Sequence, residues 1–302
     1  MATVLGVTFM NGIGNFILLT AAIKILKETG DSNSIHLITD ERFLQNKALA
    51  ELSRGMFDEI TNEYIPSRYR KVYVFPWCPP KVEGIERLTT NWVSTGLHEV
   101  QMNLEVIGAS WKDYRGFMVS PHYVKIPESD KIKIVLSNCS GTLMAEKKQW
   151  HGFSELSNLL VGLGYEVYLI GIGNELENCS GYNFVNKLSI TETASIIKQC
   201  DLMISTSTGN AHIADAVGTP ILLIEGPILT SKNHPINVQY DIVRSYISCA
   251  PCFQKSIWEH CTHYACMDSI TSANVLQKLK SFIPKMNRPV NRFKDFSERV
   301  FT

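Results

Sequence analysis

The chain has 302 residues, a length that suits two domains of about 150 each. Hydrophobic residues make up 45% and charged residues 19%, which supplies material for buried cores and excludes general disorder. Lys plus Arg equal Asp plus Glu at 29 each; this neutrality argues against a chain built mainly to attract nucleic acid or anionic lipid, though not against a local basic groove.

Residues 4–9 are an apolar run that reads as a strand, Asn11-Gly12-Ile13-Gly14-Asn15 is a turn, and 16–28 has helical periodicity closed by Gly30. The apolar stretch 16–26 is too short to span a bilayer and carries Lys24, so neither a secretory leader nor a membrane span is expected there, and the expected compartment is the cytoplasm. Strands follow at 35–39 and 71–75, a loop at 77–86 and a helical stripe at 98–107. The pattern loosens over 120–130, with Pro121 and Pro127, and a domain boundary is placed there.

A second series then runs strand 133–136, polar turn 137–141, helix 154–163, strand 166–170, helix 190–199, strand 202–205, helix 210–217 and strand 221–224. Strands alternating with helices specify an α/β architecture with parallel sheets covered on both faces. The expected division is residues 1–125, residues 126–284, and a basic tail 285–302 that either returns to the first domain or stays apart from it.

The strongest local signal is Ser205-Thr206-Ser207-Thr208-Gly209-Asn210-Ala211-His212, which leaves a strand and opens a helix. Hydroxyls and a glycine at a helix N-terminus offer unpaired backbone N–H groups and the positive end of the helix dipole, which suits a phosphate or diphosphate. An ordinary Ser/Thr helix cap with a surface histidine accounts for the same residues. A second turn, Ser137-Asn138-Cys139-Ser140-Gly141, is followed by Lys147, Lys148 and Trp150; a lysine there could neutralise a diphosphate or simply be solvated. Gly12-Ile13-Gly14-Asn15 lacks the third glycine and the acidic residue of a dinucleotide fingerprint. Gly171-Ile172-Gly173-Asn174-Glu175 is a similar strand exit, where Glu175 could accept from ribose hydroxyls.

Of eight cysteines, Cys78, Cys139, Cys179 and Cys200 are scattered singly, as small buried hydrophobes in a reducing compartment are. Cys249, Cys252, Cys261 and Cys266 are spaced C-x2-C-x8-C-x4-C, with His260 and His263 among them. That cluster fits a structural zinc knuckle; reduced thiols in a loop core, or disulfides, are the alternatives. Asp40 and Glu99 are the acidic groups to follow in the first half.

Taken in order, these segments resemble glycosyltransferase family 9, the ADP-heptose:lipopolysaccharide heptosyltransferases and their relatives. The likeness is carried by Gly12-Ile13-Gly14-Asn15, His98-Glu99-Val100 with Asn103-Leu104, Lys148-Gln149-Trp150 with Phe153, residues 201–220, Gly226-Pro227, and the C-terminal cysteines with Met267 and Ile270. It implies a GT-B fold, with two Rossmann-like doubly wound domains facing each other across a cleft. It also implies inverting transfer without a catalytic metal and a nucleotide-sugar donor held mainly by the C-terminal domain. By that likeness Ser207, Thr208, Gly209 and His212 contact the donor diphosphate, with Gly14, Ser140 and Gly141 lining the donor site. Lys148 neutralises the diphosphate and Glu175 holds the ribose.

Two residues depart from the family pattern. Asn15 stands where the family usually has the aspartate expected to act as base, and an amide takes no proton at neutral pH. Asp40, Glu99 or His98 then removes the proton, or Asn15 only orients the acceptor, or activity is lost. Ser207 stands where many members have Asp or Asn.

The function expected is sugar transfer from a nucleotide-diphosphate donor to a hydroxyl of a lipopolysaccharide core or related glycan, with hexosyl, heptosyl and pentosyl transfer all open. Two alternatives stand beside it. One is glycosylation of hydroxymethylated bases in DNA, which the basic tail and Arg68, Arg70 and Lys71 would permit. The other is a sugar-nucleotide-binding protein without turnover. The partners expected are the nucleotide sugar and a glycan or lipid-linked acceptor rather than DNA, with peripheral membrane association left open.

Overall fold

The computed structural model describes residues 4–9, 12–30, 34–76, 96–138, 145–228, 230–252 and 260–286. They form two compact units. Unit 1 runs to Ser120 and takes in Ser231–His234; unit 2 comprises Pro121–Thr230 and the chain from Pro235 onward. The loop expected at 77–86, the turn residues Ser140 and Gly141, and the tail beyond Met286 lie outside the described residues.

Unit 1 contains β1 (Val4–Thr8), α1 (Ile13–Thr29), β2 (Ser34–Ile38), α2 (Glu41–Gln45), α3 (Lys47–Leu52), β3 (Glu59–Thr61), β4 (Lys71–Val74) and α4 (Glu99–Val106). Its sheet has the order β3-β2-β1-β4, and every pairing is parallel. The chain steps outward from β1 through β2 to β3, then returns to place β4 on the other side of β1. The strand order therefore reverses between β1 and β4, and loops leaving the carboxyl ends of strands diverge at such a point and open a crevice.

The helix after β1 starts three residues earlier than periodicity predicts, at Ile13 instead of Phe16. Gly12 explains the shift. Its φ of 107° lies in a region that suits glycine, and a Cβ there would sit 2.8 Å from Asn15 Oδ1. Gly14 and Asn15 therefore belong to the first helical turn, not to the loop before it. From Phe16 to Ile23 every residue of α1 is buried, so this helix is the core of its unit. Phe9, Phe16 and Phe43 pack edge-on around its start, with centroids 5.4 to 6.1 Å apart.

Unit 2 contains β5 (Lys133–Ser137), α5 (Ala145–Lys148), α6 (Phe153–Gly162), β6 (Glu166–Ile170), β7 (Tyr182–Asn183), α7 (Ile190–Gln199), β8 (Leu202–Thr206), α8 (Gly209–Val217), β9 (Ile221–Glu225), β10 (Tyr240–Arg244), α9 (Ala265–Asp268) and α10 (Ser272–Phe282). The six strands are all parallel in the order β10-β9-β8-β5-β6-β7. Every residue of β5, β8 and β9 is buried, as strands covered on both faces require. Here the order reverses between β5 and β8, which places the crevice where Ser137 and Thr206 end their strands.

Local signals set the helix ends. A capping box of Ser189 and Glu192 opens α7, and Gly218, at φ 86°, closes α8 in the left-handed conformation. The sequence reading did not name α10. Its buried residues Ser272, Val275, Leu279 and Phe282 lie on one stripe, and Thr271 caps it. No helix among the described residues is long and apolar enough to cross a membrane.

Candidate functional site

The carboxyl edge of the unit 2 sheet is built on Trp150. Its ring is 2% exposed, its Nε1 donates to the Ile270 carbonyl at 2.8 Å, and its backbone exchanges two 3.1 Å hydrogen bonds with the Asn138 side chain. Any Cβ at position 152 would sit 2.2 Å from the indole, so Gly152 is required for the ring to lie there. This anchor holds the two residues before it in a defined place. Lys148 Nζ donates to the Ser207 carbonyl at 3.1 Å, and Gln149 Nε2 donates to Glu175 Oε1 at 2.8 Å. The structure thus brings Lys148 to the segment that opens α8, across the β5–β8 reversal.

The N-terminus of α8 faces the same crevice edge. Thr208 is its N-cap with extended backbone, and its hydroxyl makes no capping bond to the helix. The ordinary-cap reading is therefore not what this side chain does. Gly209 and Asn210 follow in the first turn, whose N–H groups have no i−4 acceptor within the helix; the next one, of Ala211, donates to the Thr208 carbonyl at 3.1 Å. Asn210 Nδ2 donates to Ser137 Oγ at 3.0 Å and ties the helix start to the end of β5. Beneath it, Thr206 Oγ1 is buried with no hydrogen-bond partner among the described residues. His212 lies one turn into α8 and is partly exposed.

Glu175 reaches Gln149 because its turn is shaped for it. Gly173 has φ 102°, and a Cβ there would meet the Glu175 carboxylate at 2.2 Å. Asn186, itself at φ 61°, bridges the Gly173 N–H and carbonyl at 2.9 and 2.8 Å. The segment is more than a strand exit: it folds a carboxylate back over glycine. The sequence analysis gives no role to Gln149, Asn210 or Asn138, although all three stand inside the segments it quotes.

In unit 1 the structure joins Asn15 to Glu99, one of the residues singled out as candidates for the base. Asn15 Nδ2 donates to Glu99 Oε1 at 2.8 Å, linking the first turn of α1 to the first residue of α4, and the Glu99 side chain is fully buried. Asp40 has a different environment. It caps α2 by accepting from the Phe43 N–H at 3.1 Å and pairs with the Arg42 guanidinium at 2.6 and 2.9 Å; those are its hydrogen bonds among the described residues. His98 is N-cap of α4. Its Nδ1 accepts from the Val100 N–H at 3.2 Å and its Nε2 lies 3.0 Å from the His234 carbonyl. Burial pushes this imidazole down from 6.5 to about 4, against the opposing pull of the His234 carbonyl. With both nitrogens engaged, His98 has no lone pair left for an acceptor proton. Of the cations that would favour DNA, Arg68 is paired with Glu59 at 2.6 Å and Lys71 lies 4.5 Å over the Tyr73 ring.

The expected zinc knuckle is corrected. Cys249, Cys252, Cys261 and Cys266 are free thiols, and no group of three or more His, Cys, Asp or Glu among the described residues is disposed to hold a metal ion. Cys252 and Cys266 are buried instead. Burial, with the other thiols adding to it, pushes Cys252 up and Cys266 up to about 11. Cys266 and Met267 pack under the end of β9, where a Cβ on Gly226 would lie 2.9 Å from the Cys266 sulfur. Two of the four residues whose spacing suggested ligands, Cys252 and Cys266, are small apolar groups in the interior, while Cys249 and Cys261 are half-buried.

Comparison with known proteins places this arrangement. The description of glycosyltransferase family 9 (heptosyltransferase) matches residues 47–263, well over half of the chain. The chain belongs to that family. The match takes in Glu99, Lys148, Glu175, Thr208 and His212, while Asn15 lies before its start. Among family relatives, lipooligosaccharide heptosyltransferase 2 of Haemophilus influenzae is 25% identical over 168 residues, covering 50% of this chain and 48% of that protein. The chain spans about half the length of the curated relatives it matches. Among solved structures, a glycosyltransferase family 9 protein from Veillonella parvula superposes with a TM-score of 0.64 at 16% identity, covering 94% of this chain and 98% of its own. The ADP-heptose lps heptosyltransferase II of E. coli gives 0.62 at 14% identity, covering 94% and 99%. At these identities the likeness establishes the fold, and the fold is GT-B.

Proposed function

We propose that the protein transfers a sugar, with inversion at the anomeric carbon, from a nucleotide-diphosphate donor of the ADP-heptose type to a hydroxyl of a lipopolysaccharide core or related glycan. Family membership supports the reaction class, and the E. coli relative of the same fold is described as an ADP-heptose enzyme. One observation carries the reading: Lys148 is held against the segment that opens α8, at the strand-order reversal of unit 2.

In this account the α8 N-terminus, the Thr208 hydroxyl and Lys148 hold the diphosphate, and Glu175 with Gln149 holds the ribose. His212 donates to a phosphate oxygen. As the acceptor oxygen bonds to the anomeric carbon, the bond to the diphosphate oxygen breaks. The negative charge that develops on the leaving group is met by helix-end donors and the lysine, so no catalytic metal is called upon. Glu99 in unit 1 takes the acceptor proton and Asn15 orients both it and the hydroxyl. Asn15 also favours a second reading, donor binding without turnover.

ADP release from ADP-heptose, measured with and without a truncated lipopolysaccharide core, separates the two. Acceptor-dependent release is expected, and Thr208→Ala is expected to lower it about fivefold, the effect of losing one hydrogen bond of about 1 kcal/mol. Normal ADP binding with no acceptor-stimulated release would favour the binding protein.

A further inference from the structure

Residues Ser231–His234 pack with unit 1 although the chain on both sides of them belongs to unit 2. This short strap follows β9, and the carbonyl of its last residue, His234, meets the His98 side chain. The Val100 N–H occupies Nδ1, so the proton of the neutral ring is on Nε2 and is donated to the His234 carbonyl. The two imidazole rings lie 4.7 Å apart, and the Trp111 ring closes the other side at 5.7 Å. Trp111 is itself tied to α4, its Nε1 donating to Gln101 Oε1 at 3.1 Å. Where the strap re-enters unit 2, the buried Asp215 of α8 accepts from the N–H groups of Ile236 and Asn237 at 3.0 and 2.7 Å.

The C-terminal end of the strap is thus held by two buried polar side chains, Asp215 on the helix that opens at Thr208 and His98 immediately before Glu99. A cap alone needs only Nδ1, and Ser, Thr, Asp or Asn supplies it with a smaller side chain. The imidazole adds reach: a second donor on the far side of a rigid ring, aimed at a carbonyl 136 residues away in sequence.

We propose that His98 is a positioning residue that clamps the Ser231–His234 strap onto the first turn of α4 and thereby sets Glu99 in the orientation that turnover requires. The proposal rests on the assignment of Glu99 as base. The depressed imidazole titration agrees with it, because the ring stays neutral and keeps its one-donor, one-acceptor pattern through the physiological range.

Two substitutions separate the clamp from the cap. His98→Asn keeps a capping oxygen but is too short for the His234 carbonyl; His98→Gln gives up the good cap and keeps a donor at nearly the same reach. In the full-length protein, tryptic cleavage after Lys232 reports on the strap, ADP-heptose turnover with truncated lipopolysaccharide core reports on Glu99, and ADP affinity reports on folding of the donor side. For His98→Asn, cleavage about fivefold faster is expected from the lost hydrogen bond. Turnover about tenfold slower is expected from the misplaced base, with ADP affinity unchanged. His98→Gln should recover most of both losses. Wild-type cleavage and turnover in His98→Asn would overturn the proposal, as would faster cleavage with undiminished turnover. Wild-type turnover in Glu99→Gln would instead remove the base assignment, while the cleavage rates would still decide whether His98 clamps the strap.

Discussion

The donor side in unit 2 and the Asn15–Glu99 pair in unit 1 are assembled in different ways. The first is made of a helix end, a hydroxyl and a lysine, all carried by a scaffold around buried Trp150. Backbone N–H groups are present whatever the side chains are, so the side chain at position 207 can vary without removing them. The second includes a 2.8 Å hydrogen bond between side chains 84 residues apart. A site of that kind changes only in pairs. In the proposed reading, the carboxylate beside Asn15 is Glu99 of α4.

The comparison breaks most directly at Glu99. Glu99→Gln keeps the shape and removes the carboxylate proposed as base, and a loss of about 10²–10⁴ in turnover is expected, with ADP binding retained. Single-turnover rates beside calorimetric ADP binding check it, and undiminished turnover would end the assignment. Asn15→Asp sharpens the same contrast. It would put a second carboxylate at 2.8 Å from Glu99, and two such groups cannot both ionise easily. The pair should retain a proton at higher pH, so the acidic limb of the rate profile should move upward and neutral-pH turnover fall about tenfold. Combining Asn15→Asp with Glu99→Gln restores an amide and a carboxylate, and should turn over faster than Glu99→Gln alone.

A smaller effect concerns stability. His98 has a folded value of about 4 against an ordinary 6.5, so between these values the unfolded chain binds the extra proton. Stability is therefore lost as pH falls from 6.5 toward 4, by up to about 1.4 kcal/mol per pH unit from this group. Urea melts across that window should show the slope, and His98→Gln should flatten it. An unchanged slope would place the titrating group elsewhere.

Much of the fold was legible because its strands are apolar runs and its long helices periodic. Among the segments missed, β3, α2 and α3 have three to six residues each, too short for any period to show, whereas α10 was passed over although its eleven residues carry a buried stripe and a Thr271 cap. The start of α1 was misplaced because Gly12 and Gly14 read as a loop, whereas the unusual φ at Gly12 is what lets the helix begin at once. At the site, residue types pointed to Lys148, Glu175 and the hydroxyl run, yet the partners Gln149, Asn210 and Asn138 are amides without a pattern of their own. The pairing of Asn15 with Glu99 joins distant segments, and no local spacing encodes it. The cysteine spacing misled for the converse reason: sequence proximity of sulfurs does not distinguish ligands from apolar filling.

The separation of donor grip from proton removal is tested most directly by the ADP dissociation constant, titrated calorimetrically into wild type, Lys148→Ala and Glu99→Gln. Loss of the lysine should weaken ADP by about 10- to 100-fold, the scale of a charge-assisted contact, while Glu99→Gln should leave it unchanged. Unaltered affinity in Lys148→Ala, or weakened affinity in Glu99→Gln, would contradict the assignment of the two tasks to the two units.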